Sequence, residues 1–231
     1  MRRTRGRWNA RALAALVLTG LGWIGWRWGT GNVGTVESGR IYRSAQLSPG
    51  ALARILRDHH IRTVLNLRGA NPEQGWYRAE RAATLAAGAT QVDVPMSSDQ
   101  WLAHDQARTL VRVLDTGAYP LLIHCEWGAE RTGLVAAIAT LLRPGSTLAD
   151  AKAQFSAYYL FVPVQDGRVM AGHLDGYEAW LRRRRLPHAP DRFRLWLAEA
   201  YRPGSPSREF WPYNPYPLVV VTRPRAAGRR Q

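Results

Sequence analysis

The chain has one cysteine, Cys125, and the residues around it are of types that could use it as a nucleophile. It stands in the run His124-Cys125-Glu126-Trp127-Gly128-Ala129-Glu130-Arg131-Thr132-Gly133. An apolar, β-prone stretch (119–123) precedes the run, and 134–142 follows it with apolar side chains at helical spacing. A cysteine thus opens a loop between a strand and a helix, and an arginine closes it. Backbone N–H groups in such a loop converge at the positive end of the helix dipole, which makes an anion site. The same field favours a thiolate over a thiol at Cys125. Arg131 can fork two N–H bonds onto phosphate oxygens, which a lysine cannot do. Gly128 permits a tight backbone curve, and Thr132 can donate its hydroxyl to the sulfur when the thiolate departs. Together these residues describe thiolate attack on a bound phosphate monoester.

With five residues between Cys125 and Arg131, followed by Thr132-Gly133, the run resembles the signature loop of the cysteine-dependent protein tyrosine and dual-specificity phosphatases. It most resembles their compact bacterial, plant and fungal dual-specificity group. Ile41-Tyr42-Arg43-Ser44-Ala45-Gln46, Thr63-Val64-Leu65-Asn66-Leu67-Arg68 and Leu121-Leu122-Ile123-His124-Cys125 support the resemblance. It implies a hydrolase that needs neither metal nor cofactor and works through a cysteinyl-phosphate. Cys125 would be the nucleophile, and Arg131 would hold phosphate with the amides of Glu126, Trp127, Gly128, Ala129 and Glu130. His124 and Thr132 would support the loop. Arg68, just past a predicted strand, reads equally as a second phosphate contact or a solvated loop residue.

The family's general acid is an aspartate on a mobile loop upstream of the cysteine, because an alkoxide or phenolate leaves poorly without a positioned proton donor. Asp99, after the strand predicted at 90–94, takes that position here. Asp93 within that strand, Asp105 at the cap of the next helix and Glu130 before the arginine are its competitors.

The 231 residues leave room for one ordinary domain and some extensions, and 46% hydrophobic against 21% charged is a globular composition. A net charge of +15, almost all from arginine, suits phosphorylated substrates or an anionic surface. No nucleic-acid-binding motif accompanies it, so nucleic acid is not an expected partner. A lone cysteine excludes an intramolecular disulfide and a cysteine-rich zinc site. The His59-His60 pair does not suggest a metal, since neighbours on a helix diverge by about 100°.

Residues 1–11 form a basic tail, and 12–28 read as a hydrophobic helix with Trp23, Trp26 and Trp28 at an aromatic belt. Its fifteen uncharged residues fall short of the roughly 20 that span a bilayer. The reading favoured from sequence is nonetheless an uncleaved single-pass anchor, with the catalytic domain on the extracytoplasmic (periplasmic) side by the positive-inside rule. Secretion after signal cleavage, or a cytoplasmic-face domain, are the alternatives. Residues 29–38 read as a glycine-rich linker, 39–185 as the phosphatase domain and 186–231 as a proline-, aromatic- and arginine-rich extension.

Strand signals at 36–44, 62–67, 90–94 and 119–123 alternate with helix signals after Ser48 and at 76–87, 107–114, 134–142 and 174–181. A further short helix is marked at 193–201. The alternation predicts an α/β domain with a central, mostly parallel sheet flanked by helices, and a site at the carboxyl end of the 121–123 strand. Partners would be a phosphorylated protein or a small phosphate ester, with the N-terminal segment on a membrane. A phospholipid phosphatase, a rhodanese-type sulfurtransferase and a non-catalytic phosphate-binding module are the rival readings.

Overall fold

Strand β5, Leu121–His124, is buried along its whole length. Its alternate residues face two different cores, as a strand buried on both sides requires. Leu121 and Ile123 join Ile41, Leu65 and Val92 on one face of the sheet, under Leu110, Leu134, Met170 and Leu174. Leu122 joins Tyr42 and Val64 on the other face, under Leu52 and Leu56. The computed structural model that shows this describes residues 3–209 and 218–224, with side chains from Ala12 onward. The basic side chains of 1–11 and the proline-rich stretch 210–217 lie outside the described residues.

The remaining strands are β1 (Gly34–Glu37), β2 (Ile41–Ser44), β3 (Thr63–Asn66), β4 (Thr90–Asp93) and β6 (Val220–Thr222), in the sheet order β1-β2-β5-β3-β4-β6. Strands β2, β5, β3 and β4 are mutually parallel, and the two edges are antiparallel. Helices α2 (Pro49–Asp58) and α3 (Gly75–Ala86) cover one face. The other is covered by α4 (His104–Thr116), α5 (Glu130–Leu141) and α7 (Asp166–Arg184), with short α6 (Leu148–Lys152) beside α5 and α8 (Pro190–Leu195) packed near α7. The predicted α/β architecture is present, as a mixed sheet.

Two elements differ from the sequence reading. The strand signal at 36–44 is divided between β1 and β2, with Gly34 and Thr35 of the stretch read as linker inside β1, and the C-terminal extension returns to pair β6 with β4. Both are short edge strands: β1 begins inside the stretch read as linker, and the apolar run 218–221 that leads into β6 stands in an otherwise proline-, aromatic- and arginine-rich extension.

The N-terminal segment is a helix, α1 (Arg3–Gly29), but the predicted membrane span is not upheld: among the described residues no helix is long and apolar enough to cross a membrane. Its apolar stretch carries Gly20, Gly22 and Gly25 and is bounded by Arg11 and Arg27, which leaves it short of a spanning helix. Leu13, Leu16, Leu18 and Leu21 are exposed, but its end is docked. The buried Arg27 donates to Val33 O (2.9 Å) and Asn32 Oδ1 (2.7 Å). Its guanidinium also lies 4.3 Å from the Tyr158 ring centroid.

Candidate active site

The parallel strands end level: Ser44 and Asn66 both pair with His124, and Asn66 pairs with Asp93. The segments that follow, 45–46, 67–69, 94–101 and 125–129, therefore share one rim at the carboxyl end of the sheet, the usual ligand position in such folds. Cys125 follows β5 directly and is 1% exposed, and α5 begins at Glu130.

The loop from Cys125 to Ala129 owes its shape to donors outside it. Gln46 N donates to Glu126 O (3.1 Å), and Asn32 Nδ2 donates to Trp127 O (3.0 Å). Arg43 Nη2 donates to Gly128 O (2.8 Å) and Ala129 O (3.4 Å). In a planar trans peptide the carbonyl and the next N–H point opposite ways. Pulling these carbonyls outward turns the N–H groups of 127–130 toward the centre. Gly128 N accordingly donates to Cys125 Sγ at 3.2 Å. Gly128 has φ +70°, and a Cβ there would lie 2.6 Å from Ala45 N, so both conformation and space call for glycine.

Arg43 is fully buried in β2, and its other nitrogen donates to Gln154 O (2.8 Å) and Gln154 Oε1 (3.0 Å). Its guanidinium also lies 3.8 Å from the Tyr159 ring centroid. Burial lowers its pKa to about 10, so at neutral pH it remains a cation behind the loop. Sequence reasoning quoted Arg43 only as part of a supporting stretch. The available signal was a charged residue in a strand that is otherwise buried.

Below the loop, His124 Nε2 lies 3.2 Å from Glu80 Oε1, and both side chains are 3% exposed. Gln46 Nε2 donates to the other oxygen of Glu80, and Arg68 Nη1 donates to Gln46 Oε1 (3.1 Å). Burial pushes the Glu80 carboxyl up, but His124, Gln46 and Arg68 outweigh it and hold the group below its usual range. Glu80 was missed because it sits inside an ordinary amphipathic helix. Arg68 lies beside the loop, 3.8 Å from Glu126 and stacked on Trp76. Trp127 is half exposed, with its ring 5.5 Å from that of Trp28. Thr132 Oγ1 is buried and has no hydrogen-bond partner among the described residues, so its donor is not engaged by the sulfur.

Arg131 Nη1 donates to Met96 O at 3.3 Å, which ties the arginine to the start of segment 96–101. Asp99 lies exposed on that segment and accepts from Ser97 Oγ. Asp93, by contrast, is 0% exposed. Its carboxylate accepts from Asn66 Nδ2 (2.8 Å), Tyr77 Oη (2.7 Å) and Gln91 Nε2 (2.9 Å). Burial raises its pKa, and its bonds join β3, β4 and α3. Asp105 accepts from Gln106 N in the first turn of α4 and pairs with Arg208 at 3.8 Å. Glu130 is the first residue of α5.

Segment 96–101 leads to His173 of α7, which fixes Leu102. His173 Nε2 accepts from Leu102 N (3.0 Å), and Nδ1 donates to Val169 O (2.9 Å). Burial drives the His173 pKa down to about 4. As pH falls from about 6.5, the unfolded chain takes up a proton here that the folded one refuses until about pH 4. Stability is therefore lost on acidification through that window, by about 2 kcal/mol between pH 6.5 and 5. Thermal unfolding of wild type and His173→Gln across these pH values checks this. The variant should show the shallower dependence, and equal slopes would contradict the assignment.

A cysteine at the carboxyl end of parallel strands, with a backbone amide on its sulfur and an arginine in the first turn of the helix that follows, makes a site that can hold an anion. The sequence likeness agrees, for the profile of the tyrosine phosphatase family matches residues 6–143, and the chain belongs to that family. No curated protein matches the chain. Among solved structures it is similar to TpbA of P. aeruginosa, at 21% identity over 67% of this chain and 92% of that one, with a TM-score of 0.47. The core catalytic domain of the PP-IP phosphatase SIW14 from S. cerevisiae, in complex with citrate, is 19% identical over 67% and 93%, with a TM-score of 0.47. A putative phosphatase from Shewanella putrefaciens CN-32 is 14% identical over 64% and 94%, with a TM-score of 0.48.

Proposed function

We propose that the protein hydrolyses phosphoric monoesters of the protein tyrosine or dual-specificity type through a cysteinyl-phosphate on Cys125. The observation that carries this reading is the loop itself: its carbonyls are held outward and one amide already rests on the sulfur. The Cys125 thiolate attacks phosphorus, forming an S–P bond as the P–O bond to the leaving group breaks. Arg131 and the amides of 127–130 hold the equatorial oxygens through the transition state. Asp99 gives its proton to the departing oxygen. Water then attacks phosphorus and the S–P bond breaks, releasing phosphate and the thiolate, while the Asp99 carboxylate takes the water's proton. His124 and Glu80 brace the loop from beneath. Glu126 and Glu130 make the rim less cationic than a polyphosphorylated ring would need, which favours phosphotyrosine, phosphoserine, phosphothreonine or a simple ester.

Asp99→Asn tests the acid. Its kcat on phenyl phosphate should fall by about 10²-fold or more, with a much smaller loss on a nitrophenyl ester whose oxygen leaves without a proton. Equal loss on both esters, or none, would remove Asp99 from the reaction.

A further inference from the structure

The extension after Leu186 closes over the segment that carries Asp99. That segment has two fixed ends. Upstream, Met96 N donates to Leu67 O (3.1 Å), Gln106 Nε2 donates to Pro95 O (2.9 Å), and Arg131 holds Met96 O. Downstream, the partners come largely from residues 201–209. Trp101 N donates to Pro206 O (2.9 Å), and Trp101 forms a parallel bridge with Ser207, which is 0% exposed. Tyr201 Oη donates to Leu102 O (2.6 Å). His104 N donates to Glu209 Oε1 (2.7 Å), and His104 Nε2 lies 3.0 Å from Tyr201 O. The indole of Trp101 stacks on His173 at 4.5 Å and lies so close to Gly204 that a Cβ there would sit 2.4 Å from its Nε1. Between the fixed ends, Ser98 Oγ donates to Asp166 Oδ2 (2.7 Å), and Asp99 has no partner beyond its own segment among the described residues.

We infer that residues 201–209 act as a clamp that positions the general acid, by fixing Trp101 and Leu102 at the downstream end of the short span that carries Asp99. The inference rests on Asp99 being the acid. Misplacing a reacting group by about 1 Å can cost 10²-fold in rate, so a remote clamp of this kind has a measurable effect. Tyr201, Gly204 and Ser207 are positioning residues, since none touches the loop of Cys125.

The test uses the full chain with Gly204→Val, which drives a branched side chain into the Trp101 indole, and Tyr201→Phe, which deletes one hydroxyl and keeps the ring. Each is assayed on phenyl phosphate and on a nitrophenyl ester, with inorganic phosphate as competitive inhibitor and Asp99→Asn alongside. The clamp predicts that kcat on phenyl phosphate falls about tenfold, that the nitrophenyl ester is affected far less, and that the phosphate inhibition constant is unchanged. If Gly204→Val does not fold, Tyr201→Phe decides alone. Selective loss in Asp99→Asn with equal or no loss on the two esters in the clamp variants overturns the clamp and leaves the acid standing. Lack of selectivity in Asp99→Asn overturns both.

Discussion

Cys125→Ser is expected to lower turnover of an aryl phosphate by at least about three orders of magnitude while leaving the ester bound. The substitution exchanges one atom, so the Gly128 amide, the outward carbonyls and Arg131 keep their places around the pocket. What is lost is the nucleophile, because a serine hydroxyl ionises far less readily than a thiol. His124, the nearest imidazole, is occupied: one ring nitrogen faces Glu80 at 3.2 Å and the other lies 3.4 Å from Cys125 O. Steady-state kinetics and phosphate-ester binding on the purified variant check this. Residual activity within about tenfold of wild type would show that another group attacks phosphorus.

Arg43→Met should be the second most damaging change, although Arg43 touches no substrate. It leaves Gly128 O, Gln154 O and Gln154 Oε1 without the donors they now have. Unpaired buried acceptors of this kind cost about 1–3 kcal/mol each, so a stability loss of about 2–4 kcal/mol is expected. Freed carbonyls also let the peptides at 128–129 rotate, which turns amides away from the phosphate and lowers kcat by about 10²-fold. Arg43→Lys separates charge from geometry: it keeps the cation and cannot reach Gly128 O and Gln154 O together. Thermal unfolding and kcat of both variants are the measurements. Full activity in Arg43→Lys would show that Arg43 acts through its charge alone, and full activity in Arg43→Met would remove it from the loop altogether.

The contrast between these two residues explains what could be read from sequence. Cys125, Gly128 and Arg131 lie within seven residues of one another, and the chemistry they serve admits few alternatives, so their types and spacing announce it. The central strands were legible for the reason given by β5: burial on both faces demands an apolar run. Arg43, Glu80, Asn32 and Gln46 act on the same loop from four other places in the chain, and a single sequence carries no sign of which distant carbonyl a donor will reach. Of the edge strands, β1 was merged with β2 in one strand signal, and the apolar run 218–221 of β6 was obscured by the proline- and arginine-rich stretches around it. The N-terminal helix misled in the other direction. Its leucines and tryptophans suggested a span, yet it lacks the unbroken apolar length, and its buried Arg27 joins the domain through Asn32, which also holds Trp127 O. The span carrying Asp99 was legible as a loop after β4. Its clamp was not, because residues 201–209 meet it from about a hundred positions away.

The central claim is that phosphorus passes through sulfur, and rapid acid quench with mass analysis tests it most directly. The protein is mixed with excess phosphotyrosine peptide, quenched within one turnover and digested. The peptide containing Cys125 should then carry the mass of one phosphoryl group, and the adduct should be absent from Cys125→Ser. Its persistence should lengthen in a variant slowed at the hydrolysis step. Full turnover with no phosphoryl adduct on Cys125 at any quench time, or an adduct on a different residue, would contradict the account.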